Sequence, residues 1–159
     1  MNYFELFDWP VSFNIDMGKL AQKYFELQKK YHPDFFIRGT EQEQEDALEM
    51  TTQLNSALKI FKNKSETIKY VLALKGLLPE DEKYQLPQNF LMEMMALNED
   101  LPDDAAGRIN ALTSELYSQV QPLIDNYNDL SATTADLLKL EEYYYKEKYL
   151  QRILDRLEG

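Results

Sequence analysis

Between Asp16 and Tyr31 the apolar side chains Leu20, Tyr24, Leu27 and Tyr31 fall at i, i+4, i+7 and i+11, which is one face of an α-helix. Asp16 suits the N-cap. Pro33 ends the pattern, because its ring disfavours the α region for His32 and it has no N–H to donate. Around the other side Lys19, Lys23 and Lys30 repeat at i, i+4 and i+11, interrupted by Glu26. A polar loop with Arg38, Gly39 and Thr40 leads to a second helical stretch, where Ala47, Thr51, Leu54, Leu58 and Phe61 recur at i, i+4, i+7, i+11 and i+14. Its first turn carries Glu41, Glu43 and Glu45, as the helix dipole favours. Ser65 is expected to cap a short helix bearing Ile68, Val71, Leu72 and Leu74, with Gly76 as its terminator. A small helix near residues 3–7 completes this part.

Residues 79–87 are polar, acidic and bracketed by prolines, which marks a linker. Beyond them the period is again helical. One stretch, about 88–98, carries Phe90, Leu91, Met92, Met94, Met95 and Leu97. The next begins near Asp103 and carries Ile109, Leu112, Leu116, Val120, Leu123 and Tyr127, with Pro122 predicting a kink or break. The last, about 131–157, carries Leu137, Leu140, Tyr144, Leu150, Ile153, Leu154 and Leu157. Three antiparallel helices joined by short loops would bury these faces as a bundle. No alternating strand pattern runs longer than a few residues. The expected fold is all-α, with an N-terminal unit over 1–76, a linker over 77–87 and a three-helix bundle over 88–159.

Composition narrows the function. The 159 residues are 44% hydrophobic and 13% aromatic, too rich for a disordered chain. Cysteine is absent, which excludes a disulfide framework, a thiol nucleophile and a cysteine-held metal or iron–sulfur site. The net charge of -11 argues against a nucleic-acid partner, since phosphate binding draws on clustered Lys and Arg. That charge is uneven. Residues 1–75 hold ten basic and eleven acidic side chains, whereas 76–159 hold seven and seventeen. The first ten residues, with Glu5 and Asp8 among aromatics, do not read as a signal peptide, and no run reaches the roughly 18 apolar residues of a membrane span. A soluble, cytoplasmic protein without a membrane partner is expected.

The one histidine, His32, stands beside Pro33 and Asp34 at the end of the basic helix. By itself the tripeptide reads either as a helix-ending turn or as half of an acid–base pair. Further along, six of the eight residues from Phe90 to Leu97 are large and apolar, more than one helical face buries. They are either wholly core or partly exposed as a Met-rich binding surface. The run Tyr143, Tyr144 and Tyr145 cannot point to one side, because successive helical residues diverge by about 100°. At least one ring should be solvent-facing or at an interface.

Taken in order, the opening Tyr3-Phe4-Glu5-Leu6-Phe7, the helix ending in Lys29-Lys30-Tyr31, the His32-Pro33-Asp34 loop and the stretch Leu54-Asn55-Ser56-Ala57 resemble a J-domain. The segment from Tyr70 to Gly76, then the acidic linker and Phe90-Leu91-Met92-Glu93-Met94-Met95, is similar to the HscB family of J-type co-chaperones of iron–sulfur cluster assembly. This resemblance implies a J-domain, a helical hairpin with flanking short helices, followed by a three-helix bundle. If Leu74, Leu77 and Leu78 pack on the bundle, the two join as a rigid L; otherwise residues 79–87 are a hinge. It implies a co-chaperone with no catalytic or metal site and no cofactor of its own. Its partners would be a DnaK/HscA-type ATPase and an IscU-type scaffold protein.

Carried over by position, His32, Pro33 and Asp34 would stimulate the ATPase, with Lys19, Lys23, Lys29 and Lys30 supplying docking charge. Leu91, Met92, Met95 and Glu99, together with Asp103 and Tyr143, would bind the scaffold. The sequence departs from the pattern at Glu26 and Thr67, where basic residues are common, and at Ala96, where an acidic one is expected. An adaptor for another client, a helical interaction module and an enzyme using His32 with Asp34 are the rival readings.

Overall fold

A computed structural model describes residues 1–79, 83–99 and 103–158. Residues 80–82 of the expected linker, and 100–102 and 159 of the expected bundle, lie outside them. The chain is all-α and divides into two compact units, Met1–Val71 and Leu72–Gly159.

The first unit contains α1 (Tyr3–Leu6), α2 (Met17–Tyr31), a 3₁₀ turn (Pro33–Phe36), α3 (Glu41–Phe61) and most of α4 (Lys64–Leu74). The Asp16 side chain accepts the Lys19 N–H at 3.0 Å and so caps α2, a contact of about 1 kcal/mol. Thr40 does the same for α3 through the Glu43 N–H. For α4 the expected cap, Ser65, is displaced two residues upstream. The Asn63 Oδ1 accepts the Glu66 N–H at 3.0 Å, because the chain leaves α3 at Lys62 and re-enters a helix at Lys64, with one residue between them. Gly76 closes α4 as expected. At φ +77° it lets the Leu77 N–H reach Leu72 O and its own N–H reach Ala73 O, the two bonds of a Schellman end.

Phe61, at the end of α3, is the hub of this unit. It is fully buried, and its ring lies 5.0 Å from Phe4, 5.5 Å from Phe7, 6.0 Å from Trp9 and 6.5 Å from Tyr70. The Tyr3 N–H donates to the Tyr70 hydroxyl, and the two rings stack at 4.9 Å, so α1 is held to α4 as well. Thr67 is buried, and its hydroxyl donates to Ile60 O. It therefore belongs to the packing of α4 on α3 rather than to a partner-facing surface.

The second unit contains α5 (Gln88–Glu99), α6 (Ala105–Asp125) and α7 (Thr134–Glu158). Phe90 and Met94 from α5, Ile109 from α6, and Leu150 and Ile153 from α7 form its core. Ile109 near the start of α6 meets Leu150 and Ile153 near the end of α7, so these two helices run antiparallel. Leu157, expected on the buried face, is exposed. Pro122 does not break α6, which continues to Asp125. Its missing N–H falls in the last turn, so one carbonyl alone loses its helical partner before the helix ends in any case.

The segment after α4 is tied to α7 and to the loop before it at several points. Lys75 pairs with Asp129, and the Leu78 N–H donates to Glu141 at 3.0 Å. The Tyr145 hydroxyl donates to Pro79 O, and the Tyr145 ring stacks on Tyr84 at 4.0 Å. Glu141 is buried, and the Leu78 amide satisfies one of its carboxylate oxygens.

Phe61→Ala should cost about 3–5 kcal/mol, the range for deleting a fully buried aromatic ring. Urea unfolding followed by far-ultraviolet dichroism checks this; a loss below 1 kcal/mol would show that the cluster does not hold the unit together.

Candidate functional site

The first candidate site is the loop at the end of α2. His32 has φ -62° and ψ 133°, an extended backbone that the following proline enforces. The His32 N–H still closes the helix onto Gln28 O, and the loop then turns at once, with the Phe35 N–H on His32 O. The Asp34 N–H donates to His32 Nδ1 at 3.1 Å. The imidazole is thereby held against the backbone of the residue two positions on. The Asp34 carboxylate lies 3.5 Å from the same Nδ1 and is largely exposed, while His32 is about half exposed. The loop thus presents a half-exposed imidazole and an exposed carboxylate side by side.

Helix α3 holds that loop from beneath. The Gln44 amide donates to Ile37 O and Gly39 O, and the Thr51 hydroxyl donates to Tyr31 O. The Tyr24 hydroxyl donates to Asn55 Oδ1 at 2.6 Å, and the Gln28 amide reaches both. Gln44, Thr51 and Asn55 lie at i, i+7 and i+11, one stripe of α3 facing α2. Sequence reasoning did not assign them this role: Thr51 was counted with the apolar face, and Gln44 and Asn55 carried no signal of their own.

Of the four candidate lysines, Lys19, Lys29 and Lys30 are exposed and Lys23 is half-buried. They do not form one row. Lys19, Lys23 and Lys30 share one flank of α2 with Glu26, whereas Lys29 lies roughly 90° or more around the helix. There its ammonium sits 4.9 Å above the Phe25 ring. Lys30 instead lies over Tyr31, at 5.2 Å.

The second candidate site is on α5. Phe90 and Met94 are buried, while Met92 and Met95 are 62% and 59% exposed. Leu91, Met92, Met95 and Glu99 lie together on the side of the helix away from its core residues, with Leu91 half-buried and Glu99 exposed. Ala96 borders this face and lines a groove of about 560 Å³ between α5 and α6, together with Glu93, Leu97, Arg108 and Leu112. Asp103 is exposed just ahead of α6.

Tyr143 lines the groove between α6 and α7, with its ring 6.0 Å from Tyr117. Burial first, then the nearby Glu147 and Tyr117, push its hydroxyl pKa up to about 12. Lys146 of the same groove reaches over the Phe90 ring at 5.3 Å, which is the link from this groove to α5. The three successive tyrosines go three ways. Tyr143 enters the α6–α7 groove, Tyr144 is buried, and Tyr145 is stacked on Tyr84.

Comparison with known proteins gives the family. Residues 86–158 match the HSCB C-terminal oligomerisation domain. The chain is 32% identical to the co-chaperone protein HscB homolog of Shewanella halifaxensis, over 99% of this chain and 95% of that one. It is 32% identical to that of Vibrio parahaemolyticus over the full length of both. The crystal structure of human co-chaperone protein HscB superposes with a TM-score of 0.76 at 26% identity, covering 99% of this chain and 81% of that one. Chaperone HscB from Vibrio cholerae gives a TM-score of 0.61 at 28% identity, covering 99% of each. The chain belongs to the HscB co-chaperone family.

Met92→Ala and Met95→Ala should each change stability by less than about 0.5 kcal/mol, as exposed positions do. Met94→Ala, one position away and wholly buried, should cost about 2–5 kcal/mol. Thermal unfolding of the three variants checks the contrast; a large loss at Met92 or Met95 would place that side chain in the core.

Proposed function

We propose that this chain stimulates ATP hydrolysis by a DnaK/HscA-type chaperone and brings to it an IscU-type scaffold protein during iron–sulfur cluster assembly. The observation that carries this reading is the exposure of two methionines on α5, on a separate unit from the braced His32-Pro33-Asp34 loop. A monomeric bundle gains nothing from two exposed flexible thioethers, whereas a surface that adapts to a partner does. The loop, for its part, has the rigidity that a docking element needs. Its backbone is fixed by Pro33, and its ends are tied to α3.

In this reading the chemistry takes place on the partner. The His32 imidazole and the Asp34 carboxylate face the ATPase together, and they favour its hydrolysis-competent arrangement by binding that arrangement more tightly. The lysines of α2 steer the encounter toward an acidic surface and make it salt-sensitive. Leu91, Met92, Met95 and Glu99 hold the scaffold, with Asp103 at the edge of that surface. Tyr143 contributes through the α6–α7 groove.

Single-turnover ATP hydrolysis by the chaperone, with and without scaffold, tests both halves. Wild type should stimulate and His32→Gln should not, and the scaffold should act synergistically with wild type. The double variant Met92→Ala/Met95→Ala should lose that synergy. Stimulation without any synergy would replace the scaffold with a different client, and no stimulation would leave a helical interaction module.

A further inference from the structure

Two phenylalanines on the loop side of the first unit are solvent-exposed although nothing in the J-domain resemblance asks for them. Phe25 is 61% exposed on α2, and Phe35 is 67% exposed in the 3₁₀ turn. Phe25, Lys29 and His32 stand at i, i+4 and i+7, one line along the helix. Lys29 lies 4.9 Å over the Phe25 ring, and the His32 ring meets Phe35 edge-on at 6.3 Å between centroids. Ring, ammonium, imidazole and ring thus follow one another along this side of α2 and its loop, with the Asp34 carboxylate beside His32. Lys19 and Lys23 lie on the other exposed flank of α2.

We infer that Phe25 and Phe35 are apolar anchors for the chaperone ATPase, bracketing His32, so that docking has a component that salt does not screen. The inference rests on the function proposed above. A partner that engages His32 and Asp34 must cover the ring of Phe35, which touches His32. Extended along the helix, the same contact reaches Lys29 and Phe25. The occupant is fixed by charge complementarity. With Lys29 in this series, the facing surface is acidic around apolar depressions that take the two rings. A second copy does not supply it through the same face, since that face carries the same lysine. Aromatic side chains flanked by charge are the usual carriers of binding energy at such surfaces, and contact through them persists as ionic strength rises. The partner's apolar depressions then become a criterion of which DnaK/HscA-type chaperone this chain accepts.

The test is a titration of full-length chain against a DnaK/HscA-type chaperone, reading half-saturation of single-turnover ATP hydrolysis at about 50 and 300 mM salt. Phe25→Ala and Phe35→Ala should each raise the half-saturating concentration about tenfold at both salt levels. Phe25→Leu should recover most of the loss. Lys19→Ala/Lys23→Ala should weaken binding at low salt and match wild type at high salt. Both phenylalanines are exposed, so helix content should be unaltered, and circular dichroism verifies this. Two further outcomes contradict the inference while leaving the proposed function standing. In one, His32-dependent stimulation has the same half-saturation in wild type and Phe25→Ala/Phe35→Ala. In the other, the double variant turns a dimer into a monomer in sedimentation without altering stimulation, which makes a second copy the occupant. Absence of stimulation by wild type overturns both together.

Discussion

The loop depends on one constraint, the proline at position 33. Without an N–H, and with a ring that crowds the preceding residue, Pro33 obliges His32 to leave the helix extended. From that single backbone choice follow the outward imidazole, the Asp34 N–H on Nδ1 and the carboxylate beside it. A proline alone, however, fixes only local angles. The orientation of the loop relative to α2 comes from α3, whose Gln44, Thr51 and Asn55 take the carbonyls and side chains at the end of α2 and in the loop. Phe61, at the far end of the same helix, anchors α3 in the aromatic cluster. Helix α3 therefore transmits the rigidity of the core to an exposed tripeptide.

The second unit solves the opposite problem. Its α5 is short and apolar, and Phe90 and Met94 suffice to bury it against α6 and α7. That leaves Met92 and Met95 outside, on a helix that the core already holds. A surface of unbranched thioethers on a fixed backbone adapts its side chains while its position stays constant. The rigid loop and the adaptable patch suit different tasks, and they sit in different units of the chain.

Much of this was legible in the sequence where the signal is local. Asp16, Pro33 and Gly76 act within one turn of themselves, and α2 and α4 end where those residues say. Ser65 and Asn63 are both good caps two residues apart, and the choice between them was made by where α3 ends, which a local pattern does not contain. Pro122 misled because its effect depends on its distance from the helix end, and it stands one turn away. The surplus of apolar residues between Phe90 and Leu97 left open whether some would be exposed, and the helical period indicates Met92 and Met95 once Phe90 and Met94 are the core. The braces of the loop were not legible. Tyr24, Gln28 and Asn55 become a clasp only when α2 and α3 lie side by side, and a polar residue at a helix edge looks the same whether it faces water or a neighbour. For the same reason Tyr143 offered no indication that its groove lies between α6 and α7 rather than against α5.

Under the proposed function two partners use two separate surfaces, and amide hydrogen exchange on the full chain measures this most directly. With a DnaK/HscA-type chaperone alone, protection should rise over residues 17–39 and stay level over 88–99. With an IscU-type scaffold alone, the pattern should reverse. If either partner protects both segments, or if the scaffold protects the loop and not α5, the division of labour described here is wrong.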